Sequence, residues 1–378
     1  MRNFDLNLLM MRRLTLILFL FFPLILSAQN DPLESIRKKI TAGDLKGAQV
    51  DLGKYIETNP KNKNAYALRG KTRLGQEDYY GAISDLTVSL EQDSTQADAL
   101  NDRGLAKMNL GDDIAAISDF SKAIKFNPKF ADAYTNRGFA KYNLDEVANA
   151  YFDFSKALEI GPADADKYYN CGVAKAAIGE FVSAIDDYNK ALELDKTDPA
   201  LWNFRGIAYD QLSNFQLAVA DYSEAIKLDG KNPDYYENRA LARSSLNDLK
   251  GALDDYSKAV ELNPEDPATR NLRGVVRFNL QDYDGAIADY TKSIELDQDN
   301  PTYYDNRAMA REQKQDFAGA VEDYSASIDL FPTDPETYIE RGKMKLRLNN
   351  SYDACLDFKR AEELGSSDAR LLIKKNCK

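Results

Sequence analysis

One alanine recurs every 34 residues along most of the chain: Ala48, Ala82, Ala116, Ala150, Ala184, Ala218, Ala252, Ala286, Ala320 and Ala354. No insertion or deletion interrupts the series, so the chain repeats one structural unit instead of folding around a single large core. A chain of 378 residues would otherwise call for two or three separate cores. In an array of stacked units each new copy covers its neighbour, and no internal boundary is needed.

With that alanine at position 20, position 8 is always small, as in Gly70, Gly104, Gly138, Gly172, Gly206, Ala240 and Gly274. Position 24 is large and almost always aromatic, running Leu86, Phe120, Phe154, Tyr188, Tyr222, Tyr256, Tyr290, Tyr324, Phe358. Position 4 is usually aromatic too, for example Tyr66, Tyr134, Trp202 and Tyr338. Small residues at 8 and 20 let two helix backbones approach, and the rings fill the space beside the crossing. Each unit is therefore expected to be a helical hairpin, A then B. Turn signals separate A from B (Gly43-Asp44, Gly111-Asp112) and one unit from the next (Asn127-Pro128, Asp198-Pro199, Asn263-Pro264, Asp334-Pro335). With only 20 Gly and 12 Pro the chain is too poor in turn residues for a many-stranded β protein.

These positions resemble the pattern of the tetratricopeptide repeat family, with an aromatic residue at position 4, glycine at 8, alanine at 20, an aromatic at 24 and alanine at 27. Repeat five, residues 199–232, carries Trp202, Gly206, Tyr209, Ala218, Tyr222 and Ala225. The resemblance covers about residues 31–378. It implies an all-α fold, a right-handed superhelical solenoid of helix-turn-helix repeats. Residues 29–62 read as a degenerate first repeat, 63–368 as nine full repeats, and 369–378 as a C-terminal capping helix.

The chain departs from that family pattern at three charged positions. Position 23 is aspartate in every unit, position 7 is arginine in eight of nine full repeats, and position 11 is basic in eight of nine. An arginine on helix A facing an aspartate on helix B predicts a repeated ion pair between the hairpin's two helices. Cys171 replaces the arginine once, and Lys175 is the expected substitute partner for Asp187. The basic row at position 11 has two readings, a salt-linked seam or a row offered to an acidic ligand.

In the family the A helices line the concave surface, which implies a groove formed by positions 2, 5, 6, 9, 12 and 13. Position 6 supplies Asn136, Asn170, Asn238 and Asn306, and position 5 adds Asn203 and Asn271. A side-chain amide both donates and accepts, so such a row suits the backbone of an extended segment. Phe139, Ile207, Leu241 and Met309 at position 9, with Tyr142 and Tyr169 beside them, give the groove an apolar floor. Core packing between A helices is the competing explanation of the same stripe.

The chain has no histidine, which removes Ser-His-Asp and Cys-His catalysis, histidine general bases and histidine metal ligands. With 49 Lys+Arg against 61 Asp+Glu, the net charge of −12 disfavours nucleic acid as a partner. No enzymatic role, cofactor or metal is expected. Arg2, Arg12 and Arg13 precede an apolar run from Leu14 to Leu26, followed by Ser27 and Ala28. Residues 1–28 read as a secretory signal peptide, the run being shorter than the roughly 18–20 residues that span a bilayer. The mature chain would be periplasmic or secreted, with no transmembrane segment. Cys355 and Cys377 are close enough in sequence to pair, but the expected state is three unpaired buried thiols. The function expected is an exported, non-enzymatic scaffold that binds a peptide or helix of a partner protein in its groove. The alternative is a structural component of a cell-envelope assembly or oligomer, without groove-directed binding.

Overall fold

The computed structural model describes residues 33–377, so the signal-peptide reading of residues 1–28 lies outside the described residues. Among the described residues there are 21 α-helices and no strand. Two compact units divide the chain, one ending at Asp195 and the other running from Lys196 to the C-terminus. From Lys63 to Glu363 helices A and B alternate, for example Ala97–Asn109 and Asp113–Phe126 in repeat two.

The turn from A to B is the same in every repeat, and one residue organises both sides of it. Position 15 takes the left-handed backbone conformation, glycine at Gly43, Gly111 and Gly179 but Glu77, Asp145, Ser213, Asn247, Gln281, Gln315 and Asn349 elsewhere. The following residue, position 16, donates its backbone N–H to the carbonyl of position 11, as from Asp78 to Arg73 and from Asp282 to Arg277, both at 2.9 Å. That is a Schellman-type closure of helix A. In most repeats the same residue's side chain then caps helix B, as Asp78 accepts from the Gly81 N–H, Asp112 from Ala115 and Asp316 from Gly319, while Glu146, Glu180 and Asn214 make no such bond.

Inside the hairpin, the residue at position 24 fills the crossing. Phe120, Phe154, Tyr188, Tyr222, Tyr256, Tyr290, Tyr324 and Phe358 are all essentially inaccessible, and the position-20 alanine of each hairpin is fully buried as well. A Cβ on Gly104 would lie 2.6 Å from the Phe120 ring, and one on Gly172 equally close to Tyr188. Burying each such ring contributes about 1.5–3 kcal/mol, and the small residue at position 8, glycine in most hairpins and alanine at Ala240 and Ala308, is what admits it.

The charged positions form a clamp around a buried acid. From Asp85 to Asp357 every position-23 aspartate is 5% exposed or less. In eight repeats the position-7 arginine grips both carboxylate oxygens through Nε and Nη2, as Arg103 does Asp119 at 2.8 Å for both contacts. The position-11 cation reaches the same acid at 2.6–3.0 Å, from Arg73 to Asp85, Lys107 to Asp119 and onward to Lys345 and Asp357. The basic row is thus a seam between helices A and B with its charge already engaged. Most of the arginines also lie over the position-4 ring one turn earlier, as Arg205 over Trp202 at 5.0 Å and Arg137 over Tyr134 at 5.5 Å. Their remaining nitrogen crosses to the preceding repeat: Arg103 to Thr87, Arg137 to Ser121, Arg239 to Ser223, Arg307 to Thr291 and Arg341 to Ser325. At the exception, Lys175 Nζ stands 2.7 Å from Asp187 and Cys171 is buried in the arginine's place.

At the C-terminus a helix Ser367–Asn376 packs on the last hairpin, with Ala369 buried among Ile328, Tyr338, Ile339 and Ala361. Cys355 and Cys377 are joined by a disulfide, Cα to Cα 5.7 Å, which corrects the expectation of three free thiols. The turn after Glu363 folds this helix back along Ser351–Glu363, bringing residue 377 alongside residue 355. Only Cys171 stays reduced.

Candidate partner-binding groove

Within each unit the A helices of successive repeats lie side by side, so their shared face is where the sequence-predicted site residues gather. The amides there bind one another first. Asn136 donates to Asn101, Asn238 to Asn203 and Asn306 to Asn271, each at 2.9 Å. Every pair joins position 6 of one repeat to position 5 of the repeat before. Asn101 was not among the expected groove residues, and it completes the first of these pairs. Asn170, Asn203, Asn238 and Asn271 are buried, while Asn136 and Asn306 are half-buried. A pair joined by one hydrogen bond keeps further N–H groups and an acceptor oxygen.

The apolar members divide in two. Phe139 meets Phe154 edge to face at 5.2 Å, and Tyr142 packs on the cluster around Ala150, Phe154 and Cys171. Tyr169 is buried 6.4 Å from Tyr188, and Ile207 packs beside Ala218 and Tyr222. These four side chains serve hairpin packing. Leu241 and Met309, at the same repeat position, are 47% and 44% exposed and give the face of the second unit its free apolar surface.

The electrostatics of this face differ from those of the seam. Asp102, in the amide row of repeat two, is pushed up to about 6 by burial, with Asp98 and Asp132 adding to it against Lys71. In the seam, burial also raises Asp119, but hydrogen bonds from Arg103 and Lys107 outweigh it and hold that carboxyl below its usual range. Asp221 has Arg205 but Tyr209 in place of the second cation, and there burial wins and the pKa rises. At Asp221 one cation does not outweigh the desolvation, whereas at Asp119 two do.

Among the described residues no group of acidic or cysteine side chains is gathered as a metal site, and no helix is long and apolar enough to cross a membrane. What the geometry defines is an array of paired helices presenting a polar and apolar face, with its strongest charges neutralised internally. Two models of one family, the tetratricopeptide repeat, match the sequence: one over residues 97–130, the other in overlapping windows from 169–233 through 271–335. Together they span more than half of the residues, and the chain belongs to the tetratricopeptide repeat family. Its members generally act as scaffolds for protein–protein interaction and are typically non-enzymatic.

Solved structures of similar fold include the C-terminal part of a TPR repeat-containing protein from Cytophaga hutchinsonii, with 19% identity and a TM-score of 0.54 over 63% of this chain and 97% of that one. A tetratricopeptide repeat protein from Parabacteroides merdae gives 20% identity and 0.49 over 66% and 99%. YrrB, described as a TPR protein with an unusual peptide-binding site, gives 19% and 0.43 over 47% and 92%. No curated protein matches the chain by sequence.

Proposed function

We propose that this chain is an exported, non-enzymatic scaffold that holds a segment of another protein along the A-helix face. The observation that carries this reading is the combination, on that face of the second unit, of exposed Leu241 and Met309 with the paired amides Asn203–Asn238 and Asn271–Asn306. Apolar anchors beside groups that can bond a peptide backbone suit an extended or helical segment. Export is supported by the leader-like residues 1–28 and by the Cys355–Cys377 disulfide, since such bonds persist in oxidising compartments. Mass spectrometry of the protein purified from its own cells is expected to find an N-terminus near Gln29; an intact Met1 or Met11 end would count against export.

The binding reading is tested with a photo-crosslinking amino acid placed at Leu241, at Met309 and, as a control on helix B, at Glu322. The first two sites should yield a shared adduct that Glu322 does not. Adducts from Glu322 alone would move the interaction to the other face.

A second reading, assembly into a larger envelope structure, is favoured by the outer B helices of the first unit. Tyr80, Ile114, Phe152 and Val182 are exposed there by 64–77%. Repeats five to seven have Gln216, Lys250, Asp254 and Asp284 at the corresponding positions. Light scattering on the eluting protein separates the two: a monomer at high concentration removes self-assembly.

A further inference from the structure

Repeat two departs from its neighbours at three positions that meet around one pocket. In most full repeats position 4 is aromatic, and cations approach that ring from both helices. The position-7 arginine lies over it, as Arg205 over Trp202 at 5.0 Å, and the position-26 lysine of helix B reaches it as Lys190 does Tyr168 at 5.3 Å. In repeat two the residue is Leu100, 2% exposed and packed among Leu90, Ala123 and Ala133. Arg103 still holds Asp119 and Thr87 through its in-plane N–H groups, but no position-4 ring covers the face of its guanidinium. A pocket of about 370 Å³ opens beside it, and its walls include Leu90, Leu100, Arg103, Lys122, Lys125 and Phe126.

The helix-B wall of this pocket carries unbalanced charge. Positions 26 and 29 neutralise each other in other repeats, Lys156 with Glu159, Lys258 with Glu261 and Lys292 with Glu295. In repeat two both are lysines, Lys122 and Lys125, and neither has an ion-pair partner among the described residues. Both are exposed, and Lys125 lies 5.9 Å from the Phe126 ring. Glu91, from the helix B before, also lines the pocket, exposed and outside any ion pair, and sets one negative charge against the two positive ones. Repeat seven lacks the ring as well, but there Arg270 occupies position 4 and Lys292 is paired.

We infer that this pocket receives an aromatic side chain of a partner protein segment, with an acidic residue beside that ring held by Lys122 and Lys125. The chain's own tyrosine or tryptophan fills the corresponding slot in neighbouring repeats, and the buried Leu90 and Leu100 give it an apolar base. A ring entering from outside stacks on the uncovered face of Arg103. The two lysines select an acidic neighbour over a basic one. At physiological salt, exposed charges farther away than about 8 Å are largely screened, so the local excess of lysine governs contact despite the chain's net −12. The pocket lies in the first unit and does not depend on the groove reading for the second.

The test is saturation-transfer NMR on the purified protein with the unlabelled peptide Gly-Ser-Glu-Tyr-Glu-Ser-Gly. Its tyrosine ring protons should receive the strongest saturation, and titration should give saturable binding. Changing the peptide's tyrosine to alanine should weaken binding about tenfold, and changing both glutamates to glutamine about fivefold. On the protein, Leu100→Tyr supplies an internal ring and should abolish binding, while the double variant Lys122→Gln/Lys125→Gln should weaken it about fivefold. Lys258→Gln, at the corresponding position of repeat six where Tyr236 fills the slot, should leave it unchanged. Both pocket lysines are exposed, so the double variant keeps the fold whether or not Leu100→Tyr does. No saturable binding by wild type, equal binding of the alanine peptide, or unchanged binding in a folded Leu100→Tyr or in the double variant overturns the assignment. None of these results touches Leu241 or Met309, so the groove reading stands or falls separately.

Discussion

Repeats two and four differ at position 7, and the difference separates two tasks that one arginine performs. In repeat two Arg103 grips Asp119 and also reaches Thr87 in the repeat before, while Lys107 adds the second charge. In repeat four Lys175 alone meets Asp187, and the thiol of Cys171, pushed up to about 12 by burial and then by Asp187, interacts with Ser155 where an arginine would stand. The buried acid is still paired. What is lost is a charged fork tying one hairpin to its predecessor. Charge balance can therefore be delegated to position 11, but strong coupling between neighbours depends on position 7. In a linear array that coupling is the nearest-neighbour contribution to stability, so the joint before repeat four is expected to be weaker than the one before repeat two.

The largest effect is expected from making repeat two resemble repeat four. Arg103→Ala should cost about 1.5–3 kcal/mol: Lys107 still pairs with Asp119, and what goes is the two-pronged grip and the bond to Thr87. Lys258→Ala, which breaks the exposed pair with Glu261, should leave the thermal midpoint nearly unchanged. Equal midpoints for the two variants would show that the clamp contributes no more than a surface pair.

The reverse change sharpens the comparison from the other side. Cys171→Arg should stabilise the protein by about 1 kcal/mol and slow amide exchange on both sides of the Ser155–Cys171 contact. Arginine at 7 and lysine at 11 coexist in repeats two, three and nine, so the slot accommodates both side chains. Cys171→Ser, which adds no cation, should not reproduce the gain.

The smallest effect comes from an acid in repeat two that the clamp does not serve. Asp102 is half-buried, and its pKa is raised to about 6, above its unfolded value. The native state then binds the extra proton between the two values, so stability falls as pH rises through about 6. Asp102→Asn should raise the midpoint at pH above this window and lose the advantage below the unfolded carboxylate range. A gain of the same size at low pH would mean that desolvation of the charge is not its cause.

Periodicity alone carried the fold, because a 34-residue register with small residues at 8 and 20 leaves few alternatives to stacked hairpins. The pairing of the position-7 arginine with the position-23 aspartate was legible for the same reason, both residues recurring in fixed phase. That the position-11 cation turns back onto the same aspartate was not, since helical spacing does not say which acid a long side chain reaches. A signal for its two forms was present: arginine at 11 accompanies glycine at 19 in repeats one, six, seven and eight. In all four, Arg73, Arg243, Arg277 and Arg311 donate to that glycine's carbonyl. Lysine at 11 accompanies Ala115, Asn149, Ser183 or Asp353.

The groove was less legible. Asparagines were visible, but their bonding across 35 positions depends on how closely neighbouring A helices approach. Aromatic residues at helical spacing, such as Tyr169 and Phe139, suit a core and a binding floor equally well, so their spacing does not separate the two. The disulfide escaped for a related reason: it needs the reversal after Glu363, and sequence separation carries no direction.

The residue at position 16 explains why the alanine series never slips. Its backbone closes one helix on the carbonyl of position 11, as in all ten turns from Asp44 to Asn350, and it is also the first residue of the next helix's cap. A single residue added or removed there would break the closure and swing helix B about 100° around its axis, turning the position-20 alanine and the position-24 ring away from helix A. The turn has no slack in which a small length change could be absorbed. Within the hairpin, such a chain changes length without losing its packing only by whole copies of the unit, in keeping with the uninterrupted alanine register.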